Sequence, residues 1–170
     1  MSPENAPLIV SALFGAQGFS WLDGLRRTHY PPERNRLPAH LTLFHHLPPS
    51  LEAELKRRLV AAVRAPRPRA EAAGLMDLGT GVAIRIASPE LSAIRDDLAD
   101  AFTGQLTPQD AAGWRPHVTI QNKVAPREAR ALREVLATGF APRTLEIEGL
   151  AVWRYRGGLW EPVSRHKFRG

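Results

Sequence analysis

The chain has 170 residues, 44% of them hydrophobic and 24% charged, which suits a globular domain and excludes disordered or fibrous classes. It has no cysteine, which excludes disulfide frameworks, thiolate zinc sites, iron–sulfur clusters and cysteine nucleophiles. The formal charge is +6, with three lysines beside twenty arginines, an excess that permits an anionic substrate without demanding one.

The start, Met1 to Asn5, has no basic leader, and the apolar stretch Pro7–Phe14 is too short to span a bilayer. A cytoplasmic monomer without membrane attachment is expected. Residues 7–14 read as a buried strand, followed by a short helix over about 17–29. A proline-rich loop covers Tyr30–Ala39, and His40–Leu47 reads as a strand. Pro48-Pro49-Ser50 starts a helix that carries Leu51, Leu55, Leu59 and Val63 on one face. Residues 71–78 and 81–87 flank Gly79-Thr80-Gly81 as a hairpin. Ser88-Pro89-Glu90 then supplies an N-cap, a first-turn proline and an acid at the positive helix end, ahead of the stripe Leu91, Ile94, Leu98 and Phe102. A loop over Thr103–Trp114 leads to a strand at Pro116–Val124 and a helix from Pro126 to about Thr138. The tail, about Thr144–Phe168, reads as two strands turning at Gly157-Gly158.

One pattern recurs. His40-Leu-Thr-Leu returns 77 residues later as His117-Val-Thr-Ile, and at the same offset Pro49 meets Pro126, Leu55 meets Leu132 and Leu59 meets Leu136. Gly81 meets Gly158 in the same register. The repeat, about 38–87 and 116–164, reads as strand, helix and hairpin in each copy, within a single domain over 1–170. Two such copies suggest a pseudo-twofold pair of lobes.

Alternation along each strand sends Leu41, Leu43, Val118 and Ile120 to the core. His40 with Thr42, and His117 with Thr119, then share the opposite faces. If the lobes pack about a twofold axis, both pairs meet across one cleft. Two facing imidazoles suit in-line phosphoryl chemistry, where one takes a proton from the entering oxygen and the other gives one to the leaving oxygen. The threonine hydroxyls can donate to the non-bridging phosphate oxygens. Chance alone supplies about 0.3 His-x-Thr matches in a chain of this composition. Two matches heading aligned repeats exceed that.

With these residues the chain resembles the two-histidine (2H) phosphoesterase superfamily, particularly bacterial proteins named 2′–5′ RNA ligases and RNA cyclic phosphodiesterases. The match rests on His40-Leu-Thr-Leu and Arg115-Pro-His117-Val-Thr-Ile. The resemblance implies a bilobal α+β, cyclic phosphodiesterase-like fold, with two pseudo-twofold-related antiparallel sheets and outer helices around a central cleft. It implies metal-independent hydrolysis of RNA 2′,3′-cyclic phosphate or a related 2′-phosphodiester, with possible reverse 2′–5′ ligation and no cofactor. His40 and His117 would be the acid–base pair, and Thr42 and Thr119 the phosphate clamp. The partner is then an RNA or nucleotide substrate. Relatives often carry arginine five residues after the second histidine, where this chain has Asn122, followed by Lys123. A small cyclic nucleotide such as ADP-ribose cyclic phosphate, or non-catalytic binding of an RNA end, are the rival readings.

Further candidates line up by alternation. Phe44 lies on the face of Thr42 and can stack on a base, while Gln121 and Lys123 continue the face of Thr119. Lys123 then lies about 20 Å along an extended strand from His117, in reach of a neighbouring phosphate. Arg115 and, in the loop, Tyr30 complete the substrate-binding set. His45 and His46 have no carboxylate at ligand spacing, so no metal site is expected. Trp114, Trp153 and Trp160 read as core or lobe-interface residues.

Overall fold

The computed structural model describes residues 5–170. Residues 1–4, on which the expectation about the start of the chain largely falls, lie outside the described residues. Among those described, no helix is long and apolar enough to cross a membrane.

Among the described residues seven strands and five α-helices follow one another as β1 (Leu8–Phe14), α1 (Ala16–His29), β2 (Leu41–Leu47), α2 (Glu52–Ala62), β3 (Arg69–Asp77) and β4 (Val82–Ala87), then α3 (Pro89–Ala101), α4 (Pro108–Ala111), β5 (His117–Gln121), α5 (Pro126–Gly139), β6 (Arg143–Arg156) and β7 (Leu159–Lys167). The apolar periodicity acts as expected. Leu55 and Leu59 of α2, and Leu91 and Leu98 of α3, are buried against the sheet core. Ser88 caps α3, its Oγ accepting from the amide of Leu91. The stretch 103–114, expected to be a loop, contains α4, which Thr107 caps by accepting from the amide of Asp110.

The strands are antiparallel and form one path in the order β2-β1-β6-β3-β4-β5, with β7 added beside β6. The two expected sheets are therefore joined. The cause is the length of β6, whose 14 residues pair with β3 over Arg143–Glu146 and with β1 from Ile147 onward. The order reads alike from both ends when β1, β2 and β3 are matched with β4, β5 and β6. On that match β1 stands where β4 stands, and β7 has no counterpart. The hairpin turn at Gly157-Gly158 thus occupies a different place in the sheet from the turn at Gly81, although the sequence offset aligns them.

Two local irregularities decide which side chains reach the site. Between β1 and β2, Val10 pairs with Phe44 while Ser11 pairs with Thr42, so one step on β1 spans two on β2. This bulge carries Phe44 into the core with Leu43, both fully buried, and turns His45 and His46 outward. On β5 the strand ends at Gln121, short of the expected Val124, and Lys123 takes a positive φ of 62° in the following turn.

Gly81 packs so closely on β5 that a Cβ there would fall on the carbonyl oxygen of Gln121. Gly81→Ala is expected to destabilise the protein by roughly 2 kcal/mol, the cost of overpacking a spot where backbone must move. A urea titration checks this against Gly24→Ala, where a Cβ meets nothing within 4 Å.

Candidate active site

Although β2 and β5 end opposite sides of the sheet path, they approach each other because the sheet curls. His40, Thr42, His117 and Thr119 consequently line one cavity of about 280 Å³, together with Trp114, Arg115 and Trp160. The two histidines are held alike. His40 Nδ1 lies 2.8 Å from the carbonyl oxygen of Pro38, and His117 Nδ1 lies 2.7 Å from that of Arg115. A carbonyl can only accept, so each Nδ1 carries the hydrogen and each Nε2 is left for the cavity chemistry.

Their surroundings differ. Strand β7 lays Trp160 against His40, with ring centroids 4.6 Å apart, and Trp153 packs 6.0 Å from Trp160. Beyond His40 these indoles, with Phe14, Phe19 and Leu37, line a further cavity of about 370 Å³. Desolvation is the largest influence on His40 and pushes its pKa down to about 4. The bond to the Pro38 carbonyl opposes this, and Arg26, His45 and His117 reinforce it by like-charge repulsion. His117 borders Arg85 of β4, whose guanidinium lies over Gly74 and reaches the carbonyl of Ala73 at 3.4 Å.

Both motif strands are sheet edges, and buried side chains from the opposite half satisfy their free carbonyls. Arg26 of α1 donates from Nη1 to the carbonyl of Thr119 (2.9 Å) and from Nε to Asn35 Oδ1 (2.9 Å). Arg95 of α3 donates from Nε to the carbonyl of Leu43 (3.1 Å) and from Nη2 to that of Asp110 (2.6 Å). Each guanidinium stacks 4.2 Å from an aromatic centroid, Tyr30 for Arg26 and Phe44 for Arg95. Burial lowers the pKa of both arginines, against the opposing pull of neighbouring acidic groups. Trp114 adds a bond from Nε1 to the carbonyl of Thr42 (2.9 Å).

Of the residues expected from sequence, the cavity brings together His40, Thr42, His117, Thr119 and Arg115. Four others stand elsewhere. Phe44 is in the core because of the bulge, and Gln121 is buried with Oε1 unpartnered. Lys123 is exposed in the turn after β5, and Tyr30 is buried under Arg26. Of the tryptophans expected in the core or between lobes, Trp114 packs against the core and also lines the cleft, and Trp153 and Trp160 line the cavities beside His40. Sequence reasoning misses Asp110. It is 1% exposed, accepts from the backbone amides of His45 and His46, and holds His45 Nδ1 at 3.2 Å. Burial opposes its ionisation, but the His45 ring and the two amides outweigh that and lower its pKa. Its distance of 65 residues from His45 hides it from any local pattern. Among the described residues no three His, Cys, Asp or Glu side chains gather in a group able to hold a metal ion.

A family model described as the 2′–5′ RNA ligase superfamily matches residues 15–159. The chain belongs to this superfamily. Its fold is that of solved structures at low identity. The LigT protein of E. coli, solved in complex with NADP+, is 17% identical with a TM-score of 0.60, covering 98% of this chain and 99% of that one. The protein TT0787 of Thermus thermophilus is 17% identical with a TM-score of 0.64, covering 96% and 98%. A protein titled phosphoesterase is 20% identical with a TM-score of 0.58, covering 98% and 99%. No curated protein matches the chain. Superfamily membership supports a 2H phosphoesterase type of activity.

Arg26 and Arg95 thus form a clasp across the motif strands, and removing either leaves buried carbonyls without donors. Arg95→Met keeps the length and the contact with Phe44 but orphans the carbonyls of Leu43 and Asp110, and is expected to cost roughly 3 kcal/mol. The midpoint of chemical denaturation reports it, with exposed Arg64→Met as the reference near zero.

Proposed function

We propose that this member of the superfamily is a metal-independent phosphodiesterase that opens RNA 2′,3′-cyclic phosphate ends, with His40 as base and His117 as acid. One observation carries the reading. Two histidines, one just ahead of β2 and one opening β5, each with Nδ1 committed to a backbone carbonyl and Nε2 left free, line one cavity with two threonines. That is the equipment for moving two protons across one phosphorus. The assignment of roles rests on Trp160, which favours a neutral imidazole at His40.

In the forward step His40 Nε2 takes a proton from water as its oxygen bonds to phosphorus. The P–O3′ bond breaks on the opposite side, and doubly protonated His117 gives its Nε2 proton to O3′. The product is a 2′-phosphate with a free 3′-hydroxyl. Thr42 and Thr119 donate to the non-bridging oxygens as charge develops there. In the same direction, with a ribose hydroxyl entering in place of water, these transfers join a 2′-phosphodiester, and the reverse cleaves one.

His40→Ala and His117→Ala are each expected to lower kcat by about 10²–10⁴, the usual worth of a positioned acid or base. The double variant loses less than the product of the two, since both act in one transition state. The assay is turnover of a defined RNA ending in 2′,3′-cyclic phosphate. Near-native turnover in either single variant contradicts the mechanism, and a 3′-phosphate product contradicts the regiochemistry.

The pH profile tests the division of roles. A base must be unprotonated, so kcat/KM rises as pH climbs through the pKa of His40 and is lost below about 4. Trp160→Ala uncovers the ring and eases its protonation, so this limb shifts up toward the 6.5 of an ordinary imidazole. An unmoved limb means that His40 is not the base.

A further inference from the structure

The cleft continues past the reacting centre. The bulge that buries Phe44 also turns His45 outward, and its ring lines two cavities at once: the one shared by His40 and His117, and an open one of about 680 Å³. Gln109 likewise borders both, and the second cavity is walled by His46, Tyr155 and Arg156. His45 lies three residues beyond Thr42, at most about 10 Å along the strand, and borders the same cavity as the two motif histidines.

His45 is also held in place. Asp110 accepts its Nδ1 hydrogen and the amide at its own position, so the ring can turn little and Nε2 is the free nitrogen. Arg95 donates to the backbone of Asp110 and its positive charge lies beside that carboxylate. The buried charges thus nearly cancel before any ligand arrives, and a phosphate beside His45 meets a donor at Nε2 when the ring is protonated, with the Asp110 carboxylate held on the other nitrogen. Farther along, Tyr155 is 46% exposed and lines the second cavity together with Arg156. A phosphate contact followed by an aromatic and a cation is the pattern that takes one nucleotide of a single strand.

We infer that His45, positioned by Asp110, binds the phosphodiester next to the reacting phosphate, and that the cavity of His46, Tyr155 and Arg156 receives the adjoining nucleotide. This deepens the phosphodiesterase reading and rests on it for the location of the reacting phosphate. It makes the substrate an oligonucleotide end, not a lone cyclic mononucleotide.

The test compares a dinucleotide ending in 2′,3′-cyclic phosphate with the corresponding cyclic mononucleotide, using kcat/KM for each. His45→Gln is expected to reduce the dinucleotide-over-mononucleotide preference about 10-fold, the worth of one charge-assisted contact. Arg156→Ala, at an exposed position paired with Glu161, lowers it in the same direction. A preference unchanged in both variants, or a His45→Gln loss that falls equally on both substrates, overturns the inference. Calorimetric binding of a dinucleotide and a mononucleotide, each ending in a 2′-phosphate, separates this inference from the catalytic reading because it needs no turnover. A dinucleotide preference in binding that His45→Gln removes supports the subsite even if neither cyclic substrate turns over. Equal affinities in the wild-type protein overturn it even if both do.

Discussion

Each motif strand of this protein is an open sheet edge, and an open edge needs donors for its carbonyls. Adding another strand would satisfy them but would also close the cleft. The chain uses guanidinium groups instead. Arg26 leaves the first half and binds the backbone of Thr119, and Arg95 leaves the second and binds the backbone beside Thr42. The exchange is reciprocal, so neither His-x-Thr strand can shift without disturbing a buried charge rooted in the other half. Arginine suits the task because one planar fork serves two acceptors while its face stacks on an aromatic ring. The clasp explains why two histidines 77 residues apart can share a cavity of only about 280 Å³.

A symmetric frame alone would give two equivalent imidazoles, which is poor equipment for a reaction with an entering and a leaving group. Strand β7 removes the equivalence. It has no counterpart in the palindromic strand order, and it contributes the indole that covers His40. The depressed pKa of that histidine is thus a consequence of topology: an added strand on one side dehydrates one ring. His117, next to Arg85 and Arg115, keeps a more polar neighbourhood. Division of labour between base and acid then follows from which half of the sheet carries the extra strand.

Much of this is legible in the order of residues. Helix faces, the Ser88 cap, the hairpin glycines and both His-x-Thr pairs are local signals, set by periodicity and backbone preference. What escapes a linear reading is information held between strands. Alternation counted forward from Thr42 puts Phe44 on the cleft face, but the pairing with β1 slips there and reverses the side. The same count carries β5 to Lys123, although the strand stops at Gln121. Asp110 is invisible because nothing near it in sequence hints at the two amides and the ring that it accepts from on β2. Trp160 escapes for a related reason, since nothing local in sequence shows that β7 brings its indole against His40.

The bulge in β2 therefore has a consequence beyond a misplaced phenylalanine. In a regular strand His40, Thr42 and Phe44 would form one face, and His45 would point into the core, where an imidazole without a partner is costly. Inserting a single residue gives the core Phe44, on which Arg95 then stacks, and gives the surface His45 and His46, whose amides Asp110 then collects. Arg95 and Asp110 are themselves joined through a backbone carbonyl. One register slip thus fixes the arginine of the clasp, the carboxylate that orients His45, and the direction in which the cleft continues. A chain without the slip could keep both His-x-Thr pairs and still lose the contact that extends the site along β2.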